Sequence, residues 1–334
     1  MNVSLEDSIA ACRRLTREAH SSFVPAFSLL PKDKQEAMEI LYAFDRFTDD
    51  LVDNSSDTKT KEQQLYQWRG ILDTVFSSAD FSDFETLSKE NADCKGLIFL
   101  PALKHITARF NIPVYTYFQL TAGMEADIEP QLFATFGDAA KYCHQAATSV
   151  GTASLAIWGT IEPLDSPQIV KAAGNCGLAF QWTNILRDIL EDCCNGRIYL
   201  PVDELNRFGF TPDSFSNFVS GKGNDKCGKD KNPLRCLTTT VNSETNFINL
   251  LGLQLERCAK FYRQAVPLYE LISEDSRDVF AMMFMRYYKL FQKIKNNPSI
   301  VLKKRVRLSR FEKITLFLCG KFNRFSGFPH QIDR

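Results

Sequence analysis

Residues 181–201 read Gln181-Trp182-Thr183-Asn184-Ile185-Leu186-Arg187-Asp188-Ile189-Leu190-Glu191-Asp192, followed by Cys193-Cys194-Asn195-Gly196-Arg197-Ile198-Tyr199-Leu200-Pro201. The first twelve contain no Gly or Pro and are expected to form a helix. Gln181, Asn184, Asp188 and Asp192 follow one another at spacings of three, four and four. At 3.6 residues per turn they make a polar stripe on one face. Ile185, Leu186, Ile189 and Leu190 cover much of the remaining surface. Two carboxylates one turn apart repel by roughly a few tenths of a kcal/mol unless a cation lies between them. Mg²⁺ suits such a pair, because it takes one or two carboxylates and completes its octahedron with water and phosphate oxygens. One Asp-x-x-x-Asp alone is ordinarily a solvated acidic face.

A second copy changes that reading. In Tyr42-Ala43-Phe44-Asp45-Arg46-Phe47-Thr48-Asp49-Asp50-Leu51-Val52-Asp53, Asp49 and Asp53 are again four apart, with Arg46 one turn before Asp49 and Asp50. The run from Lys34 to Phe47 has helical periodicity, with Ala37, Met38, Leu41 and Phe44 on its apolar side. Two such helices face to face can hold metal ions that bind diphosphate and neutralise a departing anion. Their apolar remainder can hold a long hydrocarbon.

These blocks resemble the squalene/phytoene synthases, which join two prenyl diphosphates head to head. The resemblance runs from about Ala19 to Lys313. It rests on Ser21-Ser22-Phe23, Leu41-Tyr42-Ala43-Phe44 leading into Asp49–Asp53, Tyr142-Cys143-His144 with Val150-Gly151, and above all Gln181–Asp192 with Gly196–Pro201. Within the family the chain is most similar to the bacterial presqualene diphosphate synthases of hopanoid and squalene pathways, a branch that Lys304–Ser309 also favours.

The resemblance implies an all-α, single-domain isoprenoid synthase fold, a helical bundle around a central cavity. Asp49, Asp53, Asn184, Asp188 and Asp192 would hold Mg²⁺, with Mn²⁺ as the alternative ion. Ser21, Ser22, Tyr42, Arg46, Gln181, Asn184, Arg187, Arg197 and Tyr199 would bind substrate. Arg46, Asp49, Asp188 and Tyr142 would carry the chemistry, Tyr142 orienting diphosphate or guiding proton loss. Two farnesyl diphosphates would give presqualene diphosphate; phytoene or dehydrosqualene synthesis is the alternative within the class. A catalytically silent helical scaffold is the alternative outside it, and the complete aspartate set argues against silence. The chain lacks a Lys that some relatives carry between the two Ser positions, and Asp45 stands where relatives often have Cys.

Residue by residue, other readings stand beside these. Ser21 and Ser22 read as cap or turn residues, Arg46 as an intrahelical partner for Asp49 or Asp50, Arg197 as a partner for Asp192 or Glu191, and Tyr142 as a core tyrosine. Asp127 reads as structural.

Composition agrees with long helices. Of the 334 residues 44% are hydrophobic, 16 are Gly and 13 Pro, and strict apolar/polar alternation is scarce. Forty basic and forty acidic residues cancel, so charge names no partner, and no nucleic acid is expected. Ten Cys without metal-finger spacing, with the vicinal Cys193-Cys194, point to a reducing, cytoplasmic setting. No run approaches a membrane span. No Gly-x-Gly-x-x-Gly follows a strand, so NADPH is not expected.

Further helices are expected over Leu5–His20, Glu62–Phe76, Leu97–Phe110, Val114–Ile128, Phe136–Trp158, Lys171–Asp192, Val202–Leu205, Glu244–Tyr269 and Asp275–Ile294, with loops over 77–91, 196–201 and 220–231. The loop 196–201 is expected to fold over the metal site. Met282, Met283, Phe284, Met285, Tyr287 and Tyr288 form a core stripe whose residues would also line a prenyl tunnel. The segment 295–334 is basic, with an apolar patch at 314–318. It reads either as a solvated face or as a peripheral contact with an anionic bilayer.

Overall fold

Each expected helix forms because its apolar positions recur at helical spacing and meet a neighbour that buries them. The computed structural model describes residues 3–19, 21, 23–53, 57–77, 84–129, 131–222, 242–322, 325, 328 and 332, with the Asp53 side chain outside that set. The helices come in the order α1 (Leu5–Glu18), α2 (Val24–Phe27), α3 (Lys32–Asp53), α4 (Thr58–Ser77), α5 (Phe84–Glu90), α6 (Leu100–Phe110) and α7 (Tyr115–Ala126). Then follow α8 (Phe136–Cys143), α9 (Ser149–Trp158), α10 (Pro167–Cys194), α11 (Val202–Arg207) and α12 (Pro212–Lys222). The last four are α13 (Ser243–Ala265), α14 (Leu268–Leu271), α15 (Arg277–Asn296) and α16 (Arg310–Lys321). Among the described residues the only extended pairings are two isolated bridges, Leu132 with Ile198 and Thr160 with Ile272.

Two expectations are corrected. The loop over 77–91 contains α5, because Phe84, Leu87 and Ser88 turn inward. Residues 220–222 are not loop but the last turn of α12, held to the core by Phe215, Phe218 and Val219. The rest of the 220–231 segment lies outside the described residues. The vicinal cysteines also part company: Cys193 is a buried free thiol, whereas Cys194 is disulfide-bonded.

The cavity walls are α3, α7, α9, α10 and α15. Buried Trp68, Tyr117, Trp182, Tyr262 and Phe284 fill the space behind them. Buried hydroxyls in this core tie helices together: Thr183 Oγ1 lies 2.8 Å from the Tyr262 hydroxyl, joining α10 to α13. Thr107 Oγ1 is likewise 2.8 Å from the Tyr117 hydroxyl, joining α6 to α7.

Between α8 and α9 the helix widens into a π-helical turn over His144–Thr148. Two glycines let its neighbours approach it. A Cβ on Gly123 would come within 3.2 Å of the Ala146 backbone, and one on Gly177 within 2.5 Å of Thr148 Oγ1. The small residues of this segment thus serve both close packing and the cavity, since Ala146, Ala147, Val150 and Gly151 face the open space.

Candidate active site

Between these helices lies a cavity of about 390 Å³. Its charged lining, Asp45, Arg46 and Asp49, gathers with Ser21, Tyr42, Gln181 and Asn184 around one end. At the other end are Met38, Trp158, Ala173, Leu268 and Phe280. The ends are assigned by chain direction. Met38 and Asp49 are eleven residues apart on α3, as are Ala173 and Asn184 on α10. At 1.5 Å per residue that makes a channel about 16 Å long. The apolar end is tied down by Lys34, whose Nζ donates to the Trp158 carbonyl at 2.6 Å and pairs with Asp275 at 2.7 Å. The Trp158 and Phe280 rings meet there at 6.3 Å.

At the polar end, Arg46 pairs with Asp50 at 2.6 Å, one turn on, and its guanidinium still lines the cavity. Ser21 Oγ accepts from the Phe23 amide at 3.2 Å, the turn role expected of it, while lining the same mouth. Ser22 lies outside the described residues, as does the Asp53 side chain. Asp45 is not solvated: it lines the cavity, and burial, then the adjacent Asp49, push its carboxyl well above the usual range. Asn184 donates to Gln181 Oε1 at 3.3 Å, and its own Oδ1 is buried with no hydrogen-bond partner.

Asp188 takes a different environment from the one its spacing suggested. Arg187 grips its carboxylate through Nε at 2.9 Å and Nη2 at 2.5 Å. Arg305, from the segment before α16, grips it again through Nε at 2.9 Å and Nη2 at 3.1 Å. Arg305 Nη1 also reaches Glu191 at 3.2 Å. Asp192, one turn on, is raised to about 7 by burial and then by Asp188, with Arg197 opposing.

Tyr142, Arg197 and Tyr199 converge elsewhere. The Tyr142 hydroxyl donates to Asp127 Oδ2 at 3.0 Å and the Tyr199 hydroxyl to Oδ1 at 2.9 Å, with the two rings stacked at 5.2 Å. Arg197 Nη2 donates to the Asp127 carbonyl at 3.0 Å. Burial, then the Asp127 charge, raises both phenols. The Gly196–Pro201 loop therefore packs on Asp127 rather than reaching into the cavity, and Asp127 is structural as expected.

Sequence reasoning placed Tyr287 on the tunnel stripe but passed over Phe180, Arg286 and the contacts of Arg305. Tyr287 and Phe180 stack at 4.3 Å and line the cavity, with Phe23 stacked on Tyr287 at 5.7 Å. Arg286 lies 5.6 Å over the Phe23 ring, its pKa lowered by burial. Arg305 was hidden in a basic run. Arg286 and Arg305 carry no periodic signal.

The donor set fits a hard cation. An orphan buried carboxamide oxygen at Asn184, the Asp49 carboxylate at the mouth and Asp192, raised by burial and by Asp188 more than Arg197 lowers it, all favour added positive charge. Among the described residues no three His, Cys, Asp or Glu side chains are grouped to hold a metal ion by themselves.

An apolar channel with acids and arginines at one mouth is a receptacle for a long hydrocarbon bearing a phosphate head. The known proteins that this chain matches agree. The squalene/phytoene synthase family profile matches residues 16–312. A phytoene synthase of Arthrospira platensis is 27% identical over 317 residues, covering 92% of this chain and 90% of its own. One from Mycobacterium tuberculosis is 28% identical over 309, covering 92% and 89%. Among solved structures, a dehydrosqualene synthase superposes with TM-score 0.71 at 25% identity, covering 96% of this chain and 98% of its own. The squalene synthase HpnC of Alicyclobacillus acidocaldarius gives 0.68 at 22%, covering 89% and 96%. The chain belongs to the squalene/phytoene synthase family, prenyltransferases that condense prenyl diphosphates head to head.

Proposed function

We propose that the chain joins two farnesyl diphosphates to presqualene diphosphate. The observation that carries this reading is the channel about 16 Å long, closed by Trp158 and Phe280. An extended fifteen-carbon tail fills that length, whereas a twenty-carbon tail overruns it by about one isoprene unit.

Asp49, Asp53, Asn184, Asp188 and Asp192 would hold Mg²⁺, or Mn²⁺ in its place, and the bound ion would neutralise charge on the departing diphosphate. Arg46 and Arg187 hold the diphosphate oxygens at the mouth, with Arg286 and Arg305 beside them. Ser21, Tyr42 and Gln181 complete the mouth. One prenyl diphosphate loses its diphosphate to give an allylic cation. The double bond of the second attacks that cation, and loss of a proton closes the cyclopropane. The apolar wall excludes water from the cation, and the Phe180 and Tyr287 faces stabilise it. Tyr142 keeps its proposed part in orienting diphosphate or guiding proton loss, its hydroxyl anchored by Asp127 and its oxygen still an acceptor. Arg197 and Tyr199 act through Asp127.

A second reading, phytoene from geranylgeranyl diphosphate, is favoured by the names of the curated relatives. Purified protein is incubated with each diphosphate and Mg²⁺, with and without NADPH, and the products are read by mass spectrometry. Presqualene diphosphate without reductant is expected, and Asp188→Ala abolishes it. Phytoene from the longer substrate alone replaces the assignment, and silence with both overturns it.

A further inference from the structure

Helix α16 carries an apolar stripe that no part of the described chain covers. Phe311 is 78% exposed, Ile314 57%, Leu318 44% and Phe322 62%. Spaced three, four and four apart, they fall on one face at 100° per residue. The opposite face is the one that packs: Leu316 and Gly320 are buried, and a Cβ on Gly320 would come within 2.5 Å of Leu29 Cδ1. Soluble proteins scatter exposed apolar side chains singly. A file of four marks a contact surface.

Charge identifies what covers it. Residues 303–321 hold seven cations, Lys303, Lys304, Arg305, Arg307, Arg310, Lys313 and Lys321, against one acid, Glu312, in a chain with 40 basic and 40 acidic residues overall. That acid is taken by Lys293 at 2.7 Å and by the Ser309 amide. Arg310, Lys313 and Lys321 flank the stripe on one side. The helix is twelve residues long, about 18 Å, too short to span a bilayer and shaped to lie in its surface. Among the described residues no helix is long and apolar enough to cross one.

We infer that α16 seats the protein on an anionic bilayer, with Phe311, Ile314, Leu318 and Phe322 in the headgroup–acyl boundary and the flanking cations on the headgroups. The seat adjoins the cavity: α16 rests on α15, whose Phe280, Met283 and Tyr287 line it, and on Leu29, two residues after Phe27 of the cavity wall.

The test is sedimentation of the full chain with vesicles of phosphatidylcholine alone and of equal parts phosphatidylcholine and phosphatidylglycerol. No turnover is needed, so the result stands apart from the enzymatic assignment. The expected result is binding to the mixed vesicles that weakens in high salt. Phe311→Ser with Phe322→Ser lowers partitioning about tenfold or more, because the lost area is apolar. Arg310→Glu with Lys313→Glu lowers it about fivefold per cation removed on the anionic vesicles alone. Circular dichroism, and turnover of detergent-dispersed substrate, confirm that each variant is folded. Wild-type protein left in the supernatant, or variants that sediment like wild type, overturn the proposal. So does a dimer in solution that Phe311→Ser dissociates without vesicle binding, which assigns the stripe to a second copy.

Discussion

At the scale of single residues, Tyr142 and Tyr199 show how alike two side chains look in sequence and how their partner defines them. Both hydroxyls donate to the same carboxylate, Asp127. Removing either leaves that half-buried acceptor short of a donor, at a cost of about 1–3 kcal/mol. Thermal denaturation of Tyr142→Phe and Tyr199→Phe is expected to show similar losses. Under the proposed role turnover separates them: a group acting in proton transfer contributes about 10²-fold or more, so Tyr142→Phe is expected to lose that much and Tyr199→Phe far less. Equal kcat values reduce Tyr142 to a support for Asp127. Arg46 and Ser21 show the opposite case: the Asp50 pair and the turn contact read from the sequence leave both residues lining one mouth.

At the scale of elements, the π-helical turn and the C-terminal helix carry the sharpest expectations. Gly177 lines the cavity and also abuts Thr148 across the turn. Gly177→Ala forces a Cβ into Thr148 Oγ1 and backbone, overpacking worth about 1–3 kcal/mol. Calorimetry is expected to show the lowered Tm, with substrate affinity reduced as the channel narrows. Helix α16 begins with a capping box between Ser309 and Glu312, and Glu312 also bridges to Lys293. Burial is the largest single influence and opposes ionisation, but Lys293 and the Ser309 groups together outweigh it and hold the Glu312 carboxyl down, from its ordinary 4.5 to about 2. A depressed acid stabilises the fold fully above its unfolded pKa and loses that contribution as pH falls through the folded one. Stability therefore drops between about pH 4.5 and pH 2. Glu312→Gln keeps the cap geometry, removes that drop, and lowers stability at neutral pH by about 1 kcal/mol or less. Urea titrations along a pH series read both effects.

At the scale of the whole molecule, channel length is set by five helices meeting one floor. Trp158, at the end of α9, closes it with Phe280 of α15. The Trp158 indole nitrogen is buried without a partner. Trp158→Phe removes that unsatisfied donor while shrinking the floor, so little stability is lost. Its expected effect is a higher ratio of turnover with geranylgeranyl over farnesyl diphosphate, measured in direct competition. An unchanged ratio moves the length determinant off Trp158.

The repeated aspartate spacing, the apolar stripes and the scarcity of Gly and Pro determined that this chain is an all-α bundle with its acids on α3 and α10. They could do so because helical period and i,i+4 repulsion are local properties, legible along one strand of residues. The break of α8 from α9 at a π-turn was not legible, since it depends on how Gly123 and Gly177 let two neighbours approach. Nor was the company Asp188 keeps, because Arg305 lies 117 residues away and nothing periodic links them. The fold alone decided that Arg197 and Tyr199 serve Asp127, and that α16 leaves an apolar face outward. Those outcomes turn on long-range contacts between side chains, where the sum of burial and charge over the assembled molecule outweighs local preference.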